Sequence, residues 1–536
     1  MNSSNINNGL LKIPADGFKG LKENYLDDLI SGFTVFLLAL PLSLGIAKAS
    51  EFPPIMGLLT AIIGGLVVGP IMGAKMTIKG PAAGLIVIVA SAVNDFGGGT
   101  QGWELALGAI FVAAALQVLF GIMKLGRYMD FFPLSAIHGM LAAIGIIIIA
   151  KQIPILLDIN PALTKGKGPI ELLGEIPYFI AHLDPRATGI GVISLAIMLF
   201  WPKVKGPLKK LPAPLLVLLI AIPAELIMDF SHTEPDYALV KIGNLAEAME
   251  VSISFAGLAQ LGIFIKYVIM FALVGSLESL LTVRAIDLMD PYKRKSDTGR
   301  DMIALGMGNM VAAIFGGLPM ISEVARSSAN VNNGGKTRWA NIFHGLFIAF
   351  FVLFFVKYIE MIPNTALAAM LIAVGIKLAH PKEFMETFRI GKEQLLIFVV
   401  TIFFTLFEDL LVGIFAGILV KLIIHLFNGA PLKNLFRMPV RISFNDNDYL
   451  VEVYKSAIFT NFLVIRKKLE EIPAGFNVVI DLKNTKLVDH SAVENLNHFK
   501  HDYEQHGGSV QIIGLDDHKR LSKHELSGMK KKIVTL

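Results

Sequence analysis

The stretch GGLPMISEVARSSANVNNGGKTR, residues 316–338, decides how this chain is read, because it is polar, carries both Glu323 and Arg326, and lies between long apolar runs. An ionisable side chain at bilayer depth costs roughly 2.5–3.5 kcal/mol even on insertion scales. Irregular backbone survives there only where protein or a water-filled cavity surrounds it. The segment therefore reads as the wall of an ion or substrate site.

Outward from that stretch, the composition is that of an integral membrane protein: 536 residues, 54% hydrophobic and only 17% charged. The mean hydropathy of +0.63 is too apolar for a soluble enzyme. Forty-nine glycines and 25 prolines suit a bundle whose helices approach closely and break in places. With no cysteine, the chain has no disulfide, no thiolate chemistry and no cysteine-ligated metal. The first 25 residues lack a continuous apolar core, so no signal peptide is expected. A cell inner (plasma) membrane is the expected location.

Apolar runs of the length needed to cross a bilayer fall near 29–47, 55–73, 103–123, 134–152, 187–201, 212–229, 262–286, 301–316, 340–359, 364–379, 394–407 and 409–427. Two more segments, near 81–93 and 321–333, are too short or too polar to cross alone. Each follows a Gly/Pro break, Lys79-Gly80-Pro81 in one case and Gly316-Gly317-Leu318-Pro319 in the other. Each also comes third in its half of the chain. Interrupted segments at matching positions of two halves predict an inverted-repeat transporter of about 14 segments, 7+7, with a midplane site at the third and tenth.

Lys and Arg gather in alternate loops: Lys75 and Lys79; Lys124 and Arg127; Lys203 to Lys210; Lys293, Arg294, Lys295 and Arg300; Lys336 and Arg338; Lys382, Arg389 and Lys392. Those loops are expected in the cytoplasm. The opposite loops hold Asp95, Asp158, Glu171, Asp229, Glu234, Glu360, Glu408 and Asp409, with Lys165 and Lys167 among them. An even number of segments then puts both termini in the cytoplasm. Three parts are expected: a cytoplasmic N-terminal segment over 1–25, a transmembrane domain over 26–430 and a soluble α/β domain over 431–536. In the last, the pattern predicts strands over 448–457, 477–482 and 509–513, helices over 461–471 and 491–505, and a basic helix near 519–532.

NVVIDLKNTKLVDHSAVENL, residues 477–496, resembles the strand, loop and helix of a STAS domain, the fold of anti-sigma-factor antagonists. The membrane part resembles the SulP (SLC26-like) anion transporters through FTVFLLALPLSLGIAKA (33–49), GSLESLLTVRAID (275–287) and the quoted stretch. The resemblance implies a core and a gate domain drawn from both repeats, an anion held where the third and tenth half-helices start, and a homodimer. It points to secondary active transport of small inorganic oxyanions by cation-coupled symport, with sulfate first and sodium-coupled bicarbonate transport as the alternative. A nucleobase permease of the same membrane fold is the alternative from another class. ATP-driven transport, enzymatic activity, bound metal and nucleic-acid binding have no motif to support them.

A helix start presents unpaired N–H groups and about half a positive charge, so two such starts form a cationic cup. The cup is expected from Gly80, Pro81, Ala82, Ala83 and Gly84 on one side, and from Ser322 and Arg326 on the other. Ser322 is expected to cap its helix or to donate to the anion. The plainer reading is that Pro81 and Pro319 merely begin helices.

Glu278 and Thr282, at i and i+4, share one helix face and are expected to couple a cation. In the resembling family an acid and a threonine at these places bind sodium in some members. Glu278 stands here for the shorter Asp, which leaves sodium and proton both open. The plainer reading pairs Glu278 with Arg284 or Lys266. Glu323 precedes Arg326 by three residues, either as an intrahelical ion pair or as a second coupling group whose charge opposes the anion.

His138 and His344 read as packing residues, and FFVLFFVKY (350–358) as lipid-facing surface. In the tail, Asp489-His490-Ser491-Ala492 occupies the loop that reads Asp-Ser-Ser/Thr-Gly in phosphorylatable relatives, with His490 in place of the phosphoacceptor. Ser491 is expected to cap the helix that follows.

Overall fold

The computed structural model describes residues 13–125, 133–206, 211–230, 239–243, 245, 249–435, 437–445, 448–505 and 507–532. Arg127, Lys209, Lys210 and Glu234 lie outside the described residues. The membrane part is built from α1 (Gly17–Ala49), α2 (Pro54–Ile63), β1 (Lys79–Pro81), α3 (Ile86–Asp95), α4 (Gly99–Ile122), α5 (Leu134–Leu156), α6 (Pro185–Phe200) and α7 (Ala213–Met228). It continues through α8 (Leu261–Met289), α9 (Thr298–Ile314), β2 (Met320–Ser322), α10 (Val324–Asn332), α11 (Trp339–Phe354), α12 (Asn364–Leu378), α13 (Lys392–Phe407) and α14 (Leu410–Phe427). Among the described residues, seven helices are long and apolar enough to cross a membrane. α2, α3, α7 and α11 are apolar but shorter.

Many boundaries follow from local chemistry. Asp16, Asp184, Asp297 and Asp409 each accept a backbone N–H at a helix start, and Pro54 and Pro185 occupy the first helical turn, where a missing N–H costs nothing. α1 starts well before residue 29 and bends at Asn24, whose φ of −132° is not helical.

The chain divides into two compact units, Met1–Gly126 with Ile147–Ile376, and Arg127–Ile146 with Lys377–Leu536. In the first unit, close helix crossings depend on glycine. A methyl group on Gly65 would lie 2.6 Å from the Gly345 Cα, and one on Gly32 would lie 2.8 Å from the Ala340 carbonyl oxygen. α11 can therefore lie against both α1 and the helical turn Gly64–Val68 that continues α2 only while these positions carry hydrogen.

In the second unit, Ala142, Ala143, Phe398 and Ile402 pack the start of α5 against α13, and Ser135 donates to Gln394 at 2.6 Å. The same unit holds the C-terminal domain: β3 (Val440–Asn445), β4 (Asp448–Val453), β5 (Lys455–Ala457), α15 (Phe462–Glu470), β6 (Asn477–Asp481), β7 (Thr485–Val488), α16 (His490–Gln505), β8 (Ser509–Ile513), β9 (His518–Arg520) and β10 (Met529–Lys531). One sheet has the order β3-β4-β6-β8, with β4, β6 and β8 parallel; the other is β5-β7-β10-β9. Val451, Ile465, Val478, Ile480 and Leu496 are buried in its core.

Two expectations fail here. The strand expected over 448–457 breaks at Tyr454, because Lys455 adopts a φ of 71° and sends β5 into the second sheet. The basic helix expected near 519–532 is instead the pair β9 and β10, with Lys530 opposite Lys519. Ser522, Ser527 and Gly528 form a turn in which Leu521 N–H bonds the Gly528 carbonyl, and edge pairing onto β7 outweighs the weak helical pattern.

Candidate functional site

The two broken segments meet. β1 and β2 pair antiparallel, with Lys79 opposite Ser322, Gly80 opposite Ile321 and Pro81 opposite Met320, and every one of these residues is buried. The chains therefore leave the crossing in opposite directions. Ala83–Leu85 and then α3 follow one strand, and α10 follows the other.

Non-helical backbone at this depth needs partners, and polar side chains supply them. Ser327 Oγ accepts from Ile78 N–H at 2.9 Å, Asn341 Oδ1 from Lys79 N–H at 3.1 Å, Asn309 Oδ1 from Met320 N–H at 2.7 Å and Thr60 Oγ1 from Leu318 N–H at 2.8 Å. Asn330 Nδ2 donates to the Met76 carbonyl at 2.7 Å, and Ser31 donates to Asn330.

The two helix starts are finished differently. Ala82 is extended and no side chain caps the turn beyond it, so the amides of Ala83 and Gly84 have no intrahelical partner. Over this start lies Glu278 from α8; a methyl group on Gly84 would lie 2.1 Å from Glu278 Oε1. That oxygen is buried and has no hydrogen-bond partner. At the other start Glu323 is the cap, its Oε2 accepting the Arg326 backbone N–H at 2.7 Å. The capping role expected of Ser322 thus belongs to its neighbour. The intrahelical ion pair expected between Glu323 and Arg326 is replaced by that backbone bond, since Nε, Nη1 and Nη2 of Arg326 have no hydrogen-bond partner. Arg326 is 0% exposed and lies against Gly80, where a methyl group would be 2.3 Å from Nη1.

Glu278 is not paired with Lys266, which lies 3.4 Å from Asp95. Thr282 is buried one turn along the same helix, without a hydrogen bond to Glu278 among the described residues. Ser322 is tied into a network the sequence did not reveal. Lys79 Nζ donates to Asp301 Oδ2 at 2.6 Å and to Ser322 Oγ at 2.5 Å, while Ser279 Oγ donates to Ser322 Oγ at 3.0 Å and accepts from Ser322 N–H at 3.1 Å. Lys79, expected in a cytoplasmic loop, is instead 0% exposed, because Asp301 neutralises it inside the protein. Only its place beside Gly80-Pro81 hinted at this.

Of the remaining residues, His344 is fully buried with neither ring nitrogen bonded, whereas His138 is partly exposed and 3.1 Å from Glu383. Phe350, Leu353, Phe354 and Tyr358 are exposed, as a lipid-facing surface requires. In the tail, Asp489 rather than Ser491 caps α16, accepting from Ala492 N–H at 2.7 Å. Ser491 Oγ accepts from Lys421 Nζ of α14 at 2.9 Å, and Asp489 Oδ2 lies 3.3 Å from both Lys421 Nζ and His425 Nε2.

A buried strand crossing thus feeds two short helices, with charged groups at their starts, within a bundle of apolar helices. The model of the sulfate permease family matches residues 25–401, and the chain belongs to that family of anion transporters. A candidate sulfate transporter of Bacillus subtilis, YvdB, is 27% identical over 520 residues, covering 95% of each chain. The bicarbonate transporter BicA of Picosynechococcus is 24% identical over 405 residues, covering 74% of this chain and 69% of that one. The solved structure of SLC26A9 matches with a TM-score of 0.67 at 16% identity, over 92% of this chain and 85% of that one, a likeness that shows the fold. The C-terminal α/β region is consistent with a STAS domain.

Proposed function

We propose that the chain is a secondary active transporter of small inorganic oxyanions, sulfate foremost, that carries its anion together with a cation by alternating access. The observation behind this reading is the charge around the strand crossing. Lys79 and Asp301 cancel, which leaves the single positive charge of Arg326 against the two negative charges of Glu278 and Glu323 at the helix starts. With both ionised, the site is negative before any anion enters. A proton or a sodium ion at Glu278, with Thr282 one turn away, frees the bare start of Ala83 and Gly84 for an oxyanion.

Gly80, Pro81, Ala82, Ala83, Gly84, Ser322 and Arg326 then form the anion site, and Glu278, Thr282 and Glu323 the coupling site. Bicarbonate is the second reading, favoured by the likeness to BicA. Membership of the sulfate permease family leaves a nucleobase permease without support. The same reading puts a homodimer in the plasma membrane with cytoplasmic termini, and gives the C-terminal domain over 431–536 a part in assembly or regulation. Uptake of radiolabelled sulfate, bicarbonate and uracil into proteoliposomes, with and without sodium and pH gradients, tests it. Gradient-driven sulfate or bicarbonate uptake is expected, and uptake of uracil alone would overturn it.

A further inference from the structure

Lys79 is the feature the carrier reading leaves unused. It is a fully buried ammonium, it sits on β1 directly opposite Ser322, and its partner Asp301 comes from α9 and is 1% exposed. A buried ion pair is weak evidence of stability, since two charges removed from water lose about as much as they gain. The pair therefore calls for an explanation beyond stability.

The hydrogen atoms supply one. An ammonium only donates, and a serine hydroxyl carries one donor and two acceptor positions. Ser322 Oγ accepts from Lys79 Nζ at 2.5 Å and from Ser279 Oγ at 3.0 Å, so both acceptor positions are taken. Its own hydrogen is left over, and among the described residues no acceptor receives it. Asp301 holds Lys79 in this pose, since its Oδ1 is itself fixed by Ala74 N–H at 3.0 Å. The hydroxyl at the end of β2 is thereby made a donor with no alternative role, beside the residue that caps α10. A buried donor without a partner is costly and suits an incoming oxygen acceptor.

We infer that Lys79 is a positioning residue for the anion: with Asp301 and Ser279 it fixes the Ser322 hydroxyl as a dedicated donor to a bound oxyanion. This rests on the anion site proposed above. The polarity matters as well as the direction, because a hydroxyl that accepts from an ammonium is a stronger donor.

The test is equilibrium binding of sulfate and of bicarbonate to the purified full-length chain, for the wild type, Lys79→Met, Ser322→Ala and the double variant. Each single change is expected to weaken binding by about tenfold, the size of one lost charge-strengthened hydrogen bond. The double variant is expected to bind no worse than Ser322→Ala alone, because Lys79 acts through that hydroxyl. A merely structural Lys79 would lower thermal stability and the folded fraction but would not produce this non-additivity in affinity. Losses that multiply to about a hundredfold, or wild-type affinity in Lys79→Met, overturn the inference while leaving the anion site standing. Absence of sulfate and bicarbonate binding in the wild type overturns both. Should Lys79→Met fail to fold, Lys79→Met/Asp301→Leu removes the pair as a unit and is read in the same way.

Discussion

The starts of the two half-helices differ in who supplies the negative charge. At α10 it is local: Glu323 belongs to the chain entering the helix and is held by a backbone bond of 2.7 Å. At the turn before α3 it comes from α8, where the Glu278 carboxylate lies over Gly84 with no hydrogen bond to fix its Oε1. A cap within one turn stays with its helix through any motion, whereas a carboxylate on another helix can be neutralised or withdrawn. Glu278 at the α3 start is therefore expected to carry most of the coupling, and Glu323, fixed to its own helix at the α10 start, the lesser part.

The largest expected effect comes from pushing the movable carboxylate away. In Gly84→Val, side-chain carbon placed 2.1 Å from the normal position of Glu278 Oε1 forces the acid off the helix start and covers the Ala83 and Gly84 amides. Sulfate and bicarbonate uptake in proteoliposomes should fall by more than about a hundredfold, the effect expected of a lost set of preorganised donors. Uptake within a few-fold of wild type would mean that the anion does not use this start.

Next in size is Glu278→Gln, which keeps the shape and fixes a neutral form. Gradient-driven uptake should collapse, while exchange at equilibrium survives. Retention of full gradient-driven uptake with unchanged sodium and pH dependence would move coupling to Glu323. Arg326→Ala follows. It removes a buried cation with three unpartnered nitrogens, so sulfate affinity should fall about tenfold with insertion intact, and isothermal titration of the purified variant checks this.

The sequence carried the outline of this comparison but not its difference. Gly80-Pro81 and Leu318-Pro319 announced two breaks, and hydropathy placed the segments, because both signals are local. Which acid serves which helix start is a tertiary fact. Ser322 and Glu323 are adjacent and both are capable caps, and only the geometry of the strand pairing turns Ser322 towards Lys79. Lys79 looked like a loop lysine since its partner Asp301 lies 222 positions away. The tail failed in the same manner: 519–532 has helical composition, but pairing with β7 decides its state.

Glu323→Gln should act less. The amide oxygen still caps Arg326 N–H, so helix stability should change by well under the roughly 1 kcal/mol of a lost cap, and gradient-driven uptake should persist. Loss of sodium or proton dependence in this variant would erase the distinction between the two starts.

The smallest effect on transport is expected where a third helix start combines both designs. Asp489 caps α16 locally, through Ala492 N–H, and is also met by Lys421 and His425 from a separate helix, α14. Burial pushes its carboxyl up, but the charges of Lys421 and His425 and the N–H groups of Ala492 and Phe459 outweigh burial and hold it below the usual carboxylate range. A depressed value means that the folded form prefers the ionised acid, so the stabilisation is complete above the ordinary aspartate value of about 3.9 and is lost as pH falls through the lower folded value. Neutral and mildly acid conditions should therefore leave the contact intact. Hydrogen exchange at the Ala492 and Phe459 amides of the full chain should stay slow down to about pH 4 and quicken below it, after correction for the intrinsic rate. Asp489→Asn should quicken exchange at every pH and remove the acid transition, with sulfate affinity unchanged. If the variant instead loses sulfate affinity, this third start is coupled to the anion site, and a cap reinforced from another helix is not merely a fastening.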